Sequence, residues 1–299
     1  MMIKVEEVAG GTYWLETKIP GITTAFSIYF IKNSRSGVLI DPGPAALIPD
    51  IREAVKKLGL DDLGYIIPTH IHMDHGGAAG ELLRLFSQAT VVVHPQGARH
   101  IIDPSRLVQS TRMAFGDDFE NVYGAILPVP ESQVRVVRDG ERLRVNGREL
   151  IIIHTPGHAP HHIAVFDTET KGLFCGEALG LIYSAGSPPL PATAPPGLDA
   201  EVYLTTMERL RRLQPEILFY SHDGGVGREP EKAIASVIEN TKIVSDAILQ
   251  AYKSEKTEEA VIARIGRFLW ECFGARLDDY DLTSNVRGYI HYFKKKGLF

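Results

Sequence analysis

Thr69-His70-Ile71-His72-Met73-Asp74-His75 is the stretch that decides how this chain is read. Three imidazoles and a carboxylate stand within six residues. An ordinary core does not tolerate that density, because buried polar groups need partners. A metal ion explains it: neutral imidazole suits zinc or iron, and a carboxylate adds a hard oxygen donor. Before the run, Gly64-Tyr65-Ile66-Ile67-Pro68 reads as a short apolar strand. After it, Gly76-Gly77-Ala78-Ala79-Gly80-Glu81 reads as a glycine turn opening a helix. The donors are therefore expected on the loop leaving a strand's C-terminal end, where open sites on rigid scaffolds are commonly built.

Outward from the run, strands and helices alternate, which predicts an α/β layered architecture. Strand-like runs cover residues 12–16, 24–32 and 37–40, the last ending in the turn Asp41-Pro42-Gly43-Pro44. Residues 47–58 have helical spacing at Ile51, Val55 and Leu58. Between about residues 95 and 130 the rhythm breaks. Residues 98–102 and 105–114 look helical and 115–130 look like loop, so the segment is expected to be an insertion that forms a lid or substrate wall. Strands return at 134–137, 142–145 and 148–154, with Asn146-Gly147 as a hairpin turn, and again at 163–167 and 172–175. A proline-rich loop at 187–196 is expected near the site mouth. A helix at 200–212 and a buried strand at 216–220 complete a first unit, residues 1–228. Residues 229–299 read as a helical extension, with segments at 230–253, 258–272 and 282–296.

The chain has 299 residues, 44% of them hydrophobic and 23% charged, with a net charge of -5. That is ordinary globular composition. The scattered Lys and Arg lack the basic footprint of a phosphate-backbone binder, so nucleic acid is not expected as a partner. Two cysteines, Cys175 and Cys272, exclude a disulfide framework. No stretch reaches the roughly 18 apolar residues of a membrane span, and the first residues lack a signal peptide's apolar core, so a cytoplasmic location is expected.

Three more strand-like runs end in donor residues: Thr155-Pro156-Gly157-His158, Gly176-Glu177 and Ser221-His222-Asp223-Gly224. A core histidine could explain any one of them. Four strand ends converging on His, Asp or Glu point to a metal site. His154, His161 and His162 lie near His158 and read as supporting or surface groups. His94 follows a strand, and His100 and His291 fall in helical segments. Cys175 reads as a buried strand residue between apolar neighbours.

This order resembles the metallo-β-lactamase superfamily, in its glyoxalase II-like or lactonase-like branch. The resemblance rests on His-x-His-x-Asp-His, Thr-Pro-Gly-His, Gly-acidic and a final His, with Leu39-Ile40-Asp41-Pro42-Gly43 upstream, and runs from about residue 12 to 225. It implies a four-layer αββα sandwich with metals at one edge between two sheets. It assigns His70, His72 and His158 to one metal and Asp74, His75 and His222 to a second. Glu177 falls where the family usually has a bridging aspartate. Bridging by Glu177 is the preferred reading; the alternatives are that it binds one metal only, or only hydrogen-bonds the histidines. Asp41 matches an acid that supports the histidine loop, and its other reading is a turn-former before Pro42. The implied cofactors are two divalent ions, zinc first, with iron or manganese as alternatives.

Such a site favours hydrolysis by a metal-activated water, with Asp74 both holding metal and accepting a hydrogen bond from the attacking hydroxide. The insertion offers Met113, Phe115, Phe119 and Tyr123 as pocket walls, and the loop after Glu177 offers Leu181, Ile182, Tyr183, Ser184 and Leu190. Apolar walls with a few polar points suit a small ester, thioester or lactone. Two rivals share the fold: a mononuclear non-haem iron dioxygenase acting on persulfides, and a ligand sensor without catalysis. The C-terminal helices are expected to shield the main unit, to form a homodimer interface or to wall the pocket.

Overall fold

Strands in this protein alternate their apolar residues between two faces, and the two faces belong to different cores. The structure, a computed structural model, describes residues 3–298 apart from Asn146, Ala185 and Gly224. In chain order the elements are β1 (Val5–Ala9), β2 (Thr12–Thr17), β3 (Phe26–Asn33), β4 (Ser36–Ile40), α1 (Ile48–Leu58), β5 (Asp62–Ile67), α2 (Met73–Gly76), α3 (Ala79–Leu85), β6 (Thr90–Val93), α4 (Pro95–Ile102), α5 (Ser105–Phe115), α6 (Phe119–Tyr123) and β7 (Val134–Val136). There follow β8 (Arg142–Val145), β9 (Arg148–His154), β10 (Ile163–Asp167), β11 (Gly172–Gly176), α7 (Ala200–Arg211), β12 (Ile217–Tyr220), β13 (Val226–Gly227), α8 (Pro230–Ser254), α9 (Glu258–Phe273) and α10 (Asp279–Lys295).

Strands β1 to β7 form one sheet in sequence order, and a second sheet runs β13-β12-β11-β10-β9-β8. Along β3, Ile28 and Phe30 face the helices α1, α3 and α4, while Tyr29 and Ile31 face the other sheet. In β11 and β12, Phe174 and Phe219 point into the space between the sheets. Leu173, Cys175, Leu218 and Tyr220 point outward against α7, α8 and α10. Period-two patterning thus yields helices, sheet, sheet and helices, the expected four layers.

β8 and β9 pair antiparallel from Val145 opposite Arg148, leaving the two-residue connection that Asn146-Gly147 predicts. Gly147 has φ 91°, and Asn146 lies outside the described residues. The insertion departs from expectation in one respect. Residues 119–123 form the short helix α6 where the sequence reads as loop. Burial of Phe119 against Met73 and Ile126 anchors that turn.

α8, α9 and α10 do not stand apart from residues 1–228. Val237, Ile248, Val261, Ile265, Val286 and Tyr289 belong to the same buried cluster as Leu173, Tyr203 and Leu218, so no gap in the core marks residue 228. No helix among the described residues is long and apolar enough to cross a membrane.

Candidate metal centre

Five strand ends meet at one edge of the sandwich. β4 and β5 run parallel with Ile40 opposite Ile67, which sets Asp41, just after β4, beside Thr69. Ile163 N–H donates to Thr69 O across the sheets (2.7 Å), and Ser27 N–H donates to Ser221 O (2.8 Å). These bonds tie the end of β5 to the start of β10 and the end of β12 to β3.

Two groups of donors result. His70, His72, His158 and Glu177 offer one set of ligand atoms, and Asp74, His75, Glu177 and His222 offer another, each within 4.8 Å of one another. In the first set, His70 Nε2 lies 2.9 Å from His72 Nδ1, and His158 Nε2 lies 3.3 Å from His72 Nδ1. In the second, His222 Nε2 is 3.1 Å from His75 Nε2 and 3.3 Å from Asp74 Oδ2. Glu177 belongs to both. Its Oε2 is 2.7 Å from His158 Nε2 and 3.6 Å from His70 Nε2, while Oε1 faces His222 Nε2 at 3.9 Å. The longer side chain reaches both groups, one oxygen to each.

The hydrogen bonds behind the donors fix their tautomers. Ala192 O can only accept, so His158 Nδ1 carries a proton and donates to it (3.0 Å), which turns the Nε2 lone pair toward the cluster. Glu177 N–H donates to His162 Nε2 (3.2 Å), so the His162 proton sits on Nδ1, 2.6 Å from Thr155 Oγ1. His162 thereby holds the Glu177 backbone. Gly176 makes the turn between them at φ 53°, where a Cβ would come within 2.6 Å of Thr69 Oγ1 and 2.7 Å of His162 Nε2.

Asp41 ties the histidine loop to β12. Its carboxylate accepts from Thr69 N–H (2.6 Å), from the Thr69 hydroxyl (3.1 Å) and from the Ser221 hydroxyl. Its Oδ2 also lies 3.4 Å from His75 Nδ1. The residue takes φ 48°, a left-handed conformation that a non-glycine residue holds only when its surroundings impose it.

This donor set fits a divalent cation. With the neutral tautomer of His158, a bare nitrogen lone pair faces a carboxylate oxygen at 2.7 Å, and that contact calls for positive charge. Protons can supply it at only some of the donors. Against burial, Glu177 raises the His158 pKa and Asp74 raises that of His222, but the remaining histidines of the first group resist protonation. Burial, then the neighbouring His158, pushes the His72 pKa down to about 4; burial, then His75, holds His70 well below the ordinary range. For His75, burial pulls downward but the charges of Asp74 and Asp41 outweigh it and raise the value. A cation in each group satisfies all the donors without that mutual repulsion.

Above the donors the cavity has two arms, of about 380 Å³ and about 470 Å³, which share Asp74, Glu177, Phe115, Leu181, Tyr183 and Tyr280. Such volumes suit a small organic molecule. Phe115 of α5 packs on Tyr280 of α10, with ring centroids 4.5 Å apart. Phe115 and Tyr183 line the cavity as expected from the sequence, whereas Phe119 does not. It is 1% exposed and packs under the wall against Met73. Sequence reading missed Tyr280, Asp281 and Asn285 of α10, and also Thr193, all of which line the cavity. It also left open the role of His162.

The sequence pattern of the Metallo-beta-lactamase superfamily matches residues 26–222. The chain belongs to that superfamily. The matched span contains both donor groups and Asp41. Among superfamily relatives, the metallo-beta-lactamase fold-containing protein ST1585 of the archaeon Sulfurisphaera tokodaii is 29% identical over 211 residues, covering 69% of this chain and 75% of that one. Its crystal structure superposes with a TM-score of 0.67 at 24% identity, covering 94% of this chain and 98% of that one. A hydroxyacylglutathione hydrolase of Aeromonas salmonicida is 28% identical over 202 residues, covering 68% of this chain and 62% of its own length. The human acyl-coenzyme A thioesterase MBLAC2 is 23% identical over 202 residues, covering 58% of this chain and 65% of its own.

Proposed function

We propose that this protein is a metal-dependent hydrolase of a small ester, thioester or lactone. One observation carries the reading: the Glu177 carboxylate divides between two donor groups, Oε2 toward His158 and Oε1 toward His222, as a residue shared by two cations would. In this reading His70, His72 and His158 hold one divalent ion, Asp74, His75 and His222 hold the other, and Glu177 serves both. Zinc is the first candidate, with iron or manganese as alternatives, since the same donors accept all three. Bound there, the ions supply Lewis acidity and bring the pKa of a water down toward neutrality.

The chain's own groups do the rest. Asp74 has a side chain 32% exposed, on the cavity side of the cluster. Burial raises its pKa, but His75 and His222 outweigh that and hold it well below the carboxylate range. Asp74 therefore stays ionised and can accept a hydrogen bond at Oδ from the attacking water, which orients it. The two arms of the cavity offer separate space for the acyl part of the substrate and for its leaving group. Hydrolysis of acyl-sulfur and related bonds is also what the names of two relatives describe, the hydroxyacylglutathione hydrolase and the acyl-coenzyme A thioesterase.

The test is metal analysis of anaerobically purified protein together with a panel of thioester, ester, lactone and phosphodiester substrates. Two ions per chain and metal-dependent carbonyl hydrolysis are expected. One iron per chain with oxygen uptake would replace this reading with a dioxygenase, and no turnover of any substrate would favour a sensor.

A further inference from the structure

Tyr183 has a hydroxyl whose surroundings leave its proton for a ligand. The argument begins at Asn285, a buried side chain within α10. Thr193 N–H donates to Asn285 Oδ1 (3.0 Å), and the Thr193 hydroxyl lies 3.0 Å from the same oxygen. A backbone N–H can only donate, so the amide oxygen and nitrogen are assigned without ambiguity. The Asn285 Nδ2 group then makes two bonds, to Asp281 O at 2.9 Å and to the Tyr183 hydroxyl oxygen at 3.0 Å. Both amide protons are spent, and in the second bond Tyr183 is the acceptor.

A phenol that accepts on one side of its oxygen directs its own proton to the other. Among the described residues no acceptor receives that proton. Tyr183 lines both arms of the cavity, together with Glu177. Burial, followed by the Asp281 charge, raises its pKa well above the ordinary value, so the hydroxyl remains a donor and does not act as a base.

We propose that the Tyr183 O–H donates a hydrogen bond to a substrate oxygen in the cavity, and that Asn285 is the positioning residue that aims it. This rests on the hydrolase reading, in which that oxygen is the carbonyl oxygen that gains negative charge as water adds. A preorganised donor costs no reorganisation at the moment of reaction. Three segments meet to build it: the loop after β11, the proline-rich loop at Thr193 and the C-terminal helix. Nothing in the metal-ligand motifs encodes it.

The test compares zinc-loaded wild type with Tyr183→Phe, which keeps the ring and its packing, and measures zinc content, binding of methylphosphonate by titration calorimetry, and kcat and KM on the best substrate of the panel. Zinc content is expected to stay the same, methylphosphonate affinity to fall roughly tenfold, and kcat to fall roughly ten- to a hundredfold with a smaller change in KM. Asn285→Leu is expected to reproduce part of the loss while its Tyr183 stays protonated, seen as an unchanged pH profile. Methylphosphonate affinity within twofold of wild type in Tyr183→Phe overturns the inference, whatever the hydrolase assay gives. Tyr183-dependent methylphosphonate binding by a protein that hydrolyses nothing on the panel keeps the donor and sinks the hydrolase reading alone.

Discussion

Oε2 of Glu177 lies 2.7 Å from Nε2 of His158, while the other oxygen of the same carboxylate faces His222 at 3.9 Å. An aspartate usually stands at this place in the superfamily pattern, and the extra methylene is accommodated at the end of β11, where His162 holds the Glu177 backbone N–H. If one carboxylate joins two cations, removing its charge should affect both. Glu177→Gln keeps the size and is expected to lower zinc content from two per chain to one or fewer, with turnover down by roughly 10- to 100-fold, the range given by loss of a group that supports a metal site. Plasma emission analysis against protein concentration measures it. Two tightly held ions in Glu177→Gln would remove the shared role.

Gly176 gives a second prediction, with backbone rather than charge as the cause. In Gly176→Ala the new Cβ meets Thr69 Oγ1 and His162 Nε2 inside normal contact distance, at a φ of 53° that disfavours a side chain. The expected result is a folded protein, by circular dichroism, whose zinc affinity is at least tenfold weaker because Glu177 and Thr69 are displaced together. Wild-type affinity in competition with a chromogenic chelator would contradict the packing argument.

Stability should be separable from chemistry at Arg148. Its guanidinium pairs with Asp167 and also donates to Gly10 O (2.8 Å) and Thr12 Oγ1 (2.9 Å), linking β9 in one sheet to the β1–β2 turn of the other. Both charges are buried, at 5% and 0% exposure, so removing one strands its partner. Arg148→Met is expected to cost about 3–5 kcal/mol. A thermal denaturation curve should show the loss, while kcat per folded molecule stays at the wild-type level. An unchanged Tm would mean the pair contributes nothing net.

Asp281 sets a pH dependence. Burial, and then the Asp278 carboxylate, pushes its pKa up to about 7. The folded chain therefore keeps a proton that the unfolded chain releases near pH ~4. Stability from this group is present below that value, falls as pH rises through about 4 to 7, and is flat above. In metal-free protein, Asp281→Asn should have a higher Tm than wild type at about pH 8, by roughly 2–4 °C for each kcal/mol recovered, and the gap should close near pH ~4. A gap that widens on acidification would reverse the sign of the argument.

The donors were legible in the sequence because each closes a strand-like run and four of them lie within six residues. Period-two patterning likewise exposed the two sheets. What stayed hidden depends on contacts distant in sequence. Tyr280 and Asn285 lie on a helix whose amphipathic pattern shows one apolar face but not what the rest of its surface meets, here a cavity floored by residues 70–222. Phe115 and Phe119 look alike as exposed-loop aromatics, and only the packing of α6 sends one to the cavity and the other under it. His162 shares a segment with three other histidines, His154, His158 and His161, and its role appears only through the Glu177 N–H it receives.

The contact between Phe115 and Tyr280 joins a residue inside the span matched by the superfamily to one well beyond it. The matched stretch holds every candidate metal donor, and the final helix adds Tyr280, Asp281 and Asn285 to the cavity wall, with Asn285 bonded to the Tyr183 hydroxyl. Exchanging the last helix would therefore change the cavity wall and the aim of the Tyr183 hydroxyl together, while leaving every candidate metal donor in place.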